Sequence, residues 1–94
     1  MMLTQRVTLA PDVLMQDLAG EAVLLNLNNE QYFGLDEIGT RMLEVLQESG
    51  SIAEASEVLV EEYDVEIERL KADLLKFVNE LLAYELVEVS EGEG

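Results

Sequence analysis

Cysteine and histidine are both absent from this chain of 94 residues, and lysine and arginine together number only 5. Without cysteine there is no disulfide framework and no thiolate, which suits a reducing compartment. Without histidine as well, the commonest zinc ligands and the usual base for a serine nucleophile are missing. A serine here would depend on a lysine base, and Ser49, Ser51 and Ser56 read as ordinary turn and capping residues. Five cations against 21 carboxylates leave a net charge of -16. Affinity for nucleic acid comes largely from neutralised phosphates, so this balance argues against DNA as a partner and opposes anionic lipid too. No apolar run approaches the roughly 20 residues needed to span a bilayer, and the first residues lack the charged-then-apolar pattern of a signal sequence. The expectation is a cytoplasmic protein with no membrane partner, no metal and no cofactor. The dense run Glu61, Glu62, Asp64, Glu66 and Glu68 lacks the central glycine and alternating carboxylates of a calcium loop, and reads as a solvated helix junction.

What the chain does have is enough apolar character, 49% of residues, to bury one small core. The pattern predicts a single domain over 1–89 and a disordered acidic tail over 90–94. Residues 1–10 alternate weakly and end at Pro11, giving an arm or an extra strand at best. Val13 to Leu18, Ala22 to Leu27 and Gln31 to Leu35 read as three strands, joined by turns at Ala19-Gly20-Glu21 and Asn28-Asn29-Glu30. At Asp36 the period changes from two to about 3.6. Asp36 reads as the cap of a helix with Ile38, Met42, Leu43, Val45 and Leu46 inward, ending at Ser49-Gly50. Ser51-Ile52-Ala53-Glu54 is a capping box for a second helix with Ile52, Ala55, Val58 and Leu59 inward. Asp64 reads as the cap of the longest helix, roughly 66–84, with the stripe Ile67, Leu70, Leu74, Phe77, Val78 and Leu81. Leu86 to Val89 alternates and predicts a closing strand. The fold class is therefore α+β: a three-stranded antiparallel sheet followed by three α-helices, a winged helix-turn-helix plan. The acidity separates this plan from its usual DNA-binding role.

Two features exceed what a core needs. The strand Gln31 to Leu35 ends the meander, so one row of its backbone N–H and C=O groups has no partner, an invitation to another strand. Gly34 removes a side chain beside that edge, easing the approach of another backbone. The hairpin also carries apolar side chains on both faces, and the turn length decides whether Tyr32 or Phe33 joins the face of Val23 and Leu25. A dimer contact, a second core layer and a peptide site all account for the surplus. Leu75 and Leu82 widen the stripe of the long helix, enough for one side to line the core and the other a groove.

The ordered set Pro11-Asp12-Val13, Gly20 to Leu27 and Tyr32-Phe33-Gly34-Leu35-Asp36-Glu37-Ile38-Gly39, followed by Leu59, Tyr63-Asp64-Val65, Leu70, Asp73-Leu74, Phe77-Val78 and Leu81 to Val87, resembles the PqqD family. The resemblance runs from about Arg6 to Val89. It implies a non-catalytic winged-helix module that recognises the leader of a ribosomally made precursor peptide. Such a module presents the leader to a leader peptidase or another peptide-modifying enzyme. The stand-alone form looks most like the leader-binding partners of lasso-peptide biosynthesis, with the peptide carrier of pyrroloquinoline quinone synthesis second and a homodimeric structural module third. Carried onto this chain, the leader would add as a strand to Gln31, Tyr32, Phe33, Gly34 and Leu35 and lie against Leu70, Asp73, Leu74 and Phe77. The expected state is a monomer or weak dimer.

Overall fold

The computed structural model describes residues 2–91. Eight elements follow one another: β1 (Gln5–Leu9), β2 (Val13–Leu18), β3 (Glu21–Asn26), β4 (Gln31–Gly34), α1 (Glu37–Glu48), α2 (Ile52–Glu62), α3 (Ile67–Ala83) and β5 (Val87–Glu91). β2, β3 and β4 form the expected antiparallel meander in that order, and the three helices follow it. The N-terminal arm is a full strand, since β1 pairs antiparallel with β5, from Gln5 opposite Glu91 to Leu9 opposite Val87. This ribbon corrects the acidic tail expected over 90–94. Ser90 and Glu91 continue β5 because β1 supplies a backbone partner from the far end of the chain. The remainder of that tail, 92–94, lies outside the described residues.

Local chemistry sets the turns. Leu18 pairs with Glu21 across Ala19 and Gly20, whose φ values of 58° and 89° give the left-handed pair that matches strand twist. The Gly20 N–H donates to Asp17 Oδ1 at 2.8 Å. The next loop, 27–30, is held by asparagine side chains: Asn26 Oδ1 accepts from the Asn28 N–H and Asn29 Oδ1 from the Gln31 N–H. That loop length puts Tyr32 on the face of Val23 and Leu25, with Phe33 opposite Leu24 on the core face.

Asp36 caps α1 as expected, its Oδ1 accepting from the Gly39 N–H at 2.7 Å, and Ser51 caps α2 through the Glu54 N–H at 3.1 Å. The reciprocal half of the capping box lands one residue early: the Glu54 carboxylate accepts from the Gly50 N–H rather than from Ser51. Asp64 does not cap α3. A tight turn closed by the Val65 N–H on the Tyr63 carbonyl leaves Asp64 short of the helix, and Glu66 takes the cap position with no side-chain hydrogen bond.

The core gathers Leu24 from the sheet, Leu43 and Leu46 from α1, Ile52 and Leu59 from α2, and Leu74 and Leu81 from α3, all fully buried. Two residues expected inward are exposed, Ile38 and Val58. In α2 the inward place falls to Ser56, which is fully buried because its hydroxyl donates to the Ala53 carbonyl at 2.6 Å. α3 closes in a two-bond left-handed stop. Glu85 (φ 58°) donates its N–H to the Leu82 carbonyl, and Leu86 donates its N–H to the Leu81 carbonyl. Leu81 and Leu86 are both buried, which fixes the direction of the chain into β5.

Candidate peptide-binding edge and groove

β4 pairs with β3 alone, so its other side is an open edge. The Leu35 N–H donates to the Ala22 carbonyl at 2.8 Å. Antiparallel alternation then turns the main-chain groups of Phe33 toward β3 and those of Tyr32 and Gly34 outward to the open edge. A Cβ built on Gly34 meets nothing within 4 Å, so the sheet face above this residue, the one Tyr32 projects from, is open.

Beside the edge lies a groove walled by α3. Asp73, Phe77, Glu80 and Tyr84 follow one another at spacings of three to four residues, and so share one side of the helix. The groove divides into two pockets. One, of about 340 Å³, is bounded by Phe33 to Asp36 on the strand side, Ile38, Gly39 and Met42 from α1, and Asp73, Lys76, Phe77 and Glu80 from α3. The other, of about 360 Å³, is bounded by Asn26, Gln31, Tyr32, Phe33, Tyr84 and Leu86. The rings of Phe33 and Tyr84 stack at a tilt, their centroids 5.1 Å apart. α1 comes close to α3 at Gly39, where an added Cβ would touch Phe77 Cε1 at 3.5 Å and Asp36 Oδ1 at 3.3 Å.

The residues singled out in the sequence separate into two groups. Gln31, Tyr32, Phe33, Gly34, Leu35, Asp73 and Phe77 all border one or both pockets, Leu35 with its side chain mostly in the core. Leu70 and Leu74 do not. They are 3% and 0% exposed and belong to the core, because the middle of the α3 stripe packs toward α2 and β5 and only its flank faces the groove. The sequence reading missed Tyr84, Glu80, Lys76 and Met42. The signal was available in part: Glu80 and Tyr84 stand seven residues beyond Asp73 and Phe77, two helical turns along the same side.

Electrostatically the groove is anionic. The ion pairs among the described residues are Arg41–Glu62 at 2.7 Å, Arg41–Glu44 at 3.7 Å and Lys71–Glu68 at 4.0 Å. None involves Asp73, Glu80 or Lys76. The Arg41 guanidinium, hydrogen-bonded to Glu62 through both Nε and an Nη, holds the Glu62 carboxyl below the usual range and is itself raised. That pair staples α1 to α2 away from the groove. No group of three metal-ligating side chains occurs among the described residues, and none of their helices is long and apolar enough to cross a membrane.

The opposite face of the meander is bare. Leu14, Leu18 and Tyr32 project from it at 56%, 54% and 75% exposure, with Val23 and Leu25 between them. The surplus apolar residues of the hairpin are therefore neither a second core layer nor covered by any described segment.

Comparison with known proteins agrees with this layout. The family model of PqqD, coenzyme PQQ synthesis protein D, matches residues 21–87, a stretch running from β3 to the start of β5 that holds every element of the groove. The solved structure of TbiB1 in complex with the TbiA(beta) leader peptide is 32% identical and superposes with a TM-score of 0.81, over 85% of this chain and 93% of that one. A lasso peptide synthetase B1 complexed with the leader peptide gives the same TM-score of 0.81 over 88% of this chain and 98% of that one; at 22% identity it speaks to the fold alone. No curated protein matches.

Proposed function

The chain belongs to the PqqD family, and on that premise we propose that it is a leader-peptide adaptor: it binds the leader of a ribosomally made precursor by strand addition to β4 and hands it to a processing enzyme. The observation that carries this reading is the open edge of β4, with Tyr32 and Gly34 outward, lying directly beside the groove between that strand and α3. Main-chain ladder bonds to the edge give grip without regard to sequence, and alternate side chains entering the groove give selectivity. Gln31, Tyr32, Phe33, Gly34, Leu35, Asp73 and Phe77 are the contact residues kept from the sequence, joined by Glu80, Met42 and Tyr84. Leu70 and Leu74 support the wall from behind.

Lasso-peptide biosynthesis is the pathway we assign: the 32% identical relative was solved in complex with a leader peptide, and a lasso peptide synthetase B1 complexed with the leader peptide shares the fold. The adaptor acts where precursors are made, in the cytoplasm, and carries no catalysis of its own. An adaptor also needs a surface for its enzyme, and the bare sheet face of Leu14, Leu25 and Tyr32 is the apolar one available. A second copy would bring another net charge of -16 against it, which disfavours the homodimer reading.

The test is a titration of ¹⁵N-labelled protein with a synthetic leader peptide of its cognate precursor. The Tyr32 and Gly34 amides are expected to move and to become protected from exchange. Protection confined to another surface, or none at all, would overturn the adaptor reading.

A further inference from the structure

Resting on the adaptor reading, we infer that the groove is a two-part reader that requires an apolar leader residue in one pocket and a lysine or arginine in the other, spaced four residues apart. Phe33 is the one residue common to the two pockets, so its ring, backed by Tyr84, stands between them. A strand paired with β4, in either direction, turns inward the side chains lying opposite Gln31, Phe33 and Leu35. The outer two of these three positions are about 13 Å apart at ordinary strand rise, and they fall on opposite sides of the Phe33 ring.

The two pockets differ in chemistry. The one at the Gln31 end has no charged residue: Phe33, Tyr84 and Leu86 enclose it beside the main chain of Tyr32, with Asn26 and Gln31 supplying amides. It suits an aromatic or large aliphatic side chain. The one at the Leu35 end has an apolar floor of Met42 and Phe77 beneath Asp36, Asp73 and Glu80, against the single cation Lys76. Asp36 is engaged by the Gly39 N–H, but Asp73 and Glu80 have no cation within ion-pair distance. A long side chain that lays its methylenes on Phe77 and its charge between those two carboxylates satisfies both parts of this pocket, and only lysine and arginine do so.

A library of random twelve-residue peptides, displayed on their own messenger RNA and selected on the immobilised full chain, reads out the rule whatever the sequence of the natural leader. Because the protein is acidic throughout, cationic peptides will be enriched in any case, and the register is what decides. The expected outcome is Lys or Arg at a fixed spacing of four from an aromatic or aliphatic residue. Selection on Asp73→Lys/Glu80→Lys should switch that position to Asp or Glu. Glu57→Lys/Glu61→Lys, with the same change of charge on exposed α2 positions that border neither pocket, should leave it cationic. A chosen binder with its cation changed to glutamate should lose roughly ten-fold in affinity on the natural chain and recover it on the Asp73→Lys/Glu80→Lys variant. Cations scattered without register, or a switch produced equally by the α2 control, would overturn the two-part reader while leaving the adaptor intact. Selected peptides that fail to perturb the Tyr32 and Gly34 amides would overturn the reader, whereas the adaptor falls only if the leader itself fails to do so. Circular dichroism of each variant guards against misfolding.

Discussion

The hydroxyl of Thr40 accepts the buried Ala22 N–H at 2.8 Å, tying the first turn of α1 to the middle strand of the sheet. The Ala22 carbonyl meanwhile accepts from Leu35, so both main-chain groups of Ala22 are engaged at the point where β4 passes into the helix. Thr40→Val keeps the shape and deletes the acceptor, leaving a buried donor unpaired. The expected loss is about 1–3 kcal/mol in urea unfolding, with an unchanged m-value. Thr40→Ser should recover most of it. A neutral Thr40→Val would mean that this bond does not hold the sheet to the helix.

Glu85 occupies a left-handed position that glycine fills most readily, at φ 58°. Glu85→Gly should relieve the strain and stabilise the protein by about 0.5–1 kcal/mol, the left-handed penalty for a side chain partly offset by the added freedom of the unfolded glycine. Thermal unfolding checks this, and a drop in Tm would show that the glutamate side chain contributes there.

Gly34 directs its N–H outward from the edge strand, and a Cβ there meets open space. Gly34→Pro should therefore fold, since proline is tolerated at an edge whose N–H faces solvent. It should nevertheless weaken leader binding by about ten-fold or more, because it removes one ladder donor and puts a ring where the incoming strand must lie. Calorimetric titration against unfolding data separates the two effects. Full affinity in the folded variant would place the leader elsewhere.

Glu62 has its carboxyl pKa lowered by the Arg41 hydrogen bonds. A group with a lowered folded pKa binds its proton more readily when unfolded, so its contribution is present above the unfolded value of about 4.3 and is lost as pH falls through the folded one. The difference in Tm between the natural chain and Glu62→Gln should be visible at neutral pH, close under acid, and shrink in high salt, as expected for a solvent-facing pair. The comparison between the two proteins is needed because acid also relieves the self-repulsion of a chain with net charge -16. A difference that does not shrink as the pH is lowered would assign the effect to packing.

Much of this molecule is legible in order along the chain. The hairpin turns, the Asp36 and Ser51 caps and the open β4 edge each follow from residues within a few positions of one another. What escapes is non-local. β1 and β5 pair across nearly the full length of the sequence, and neither has a pattern strong enough to announce the other. The stripe of α3 predicts a wide buried face but not which part of it enters the core, so Leu70 and Leu74 read as groove residues although they are core. Tyr84 sits at the helix stop, where periodicity fades, and its contact with Phe33 is what establishes it as wall. The exposure of Ile38 has a parallel cause: it rims the groove, and amphipathic counting treats a groove as if it were interior.

The ribbon of β1 and β5 sets Gln5 against Glu91. A domain whose two ends leave side by side can be spliced into a surface loop of an enzyme with short connectors, without disturbing either partner. Joining those ends and reopening the chain at the Asn28-Asn29 turn would give a permuted version that offers the same edge from a different point of attachment.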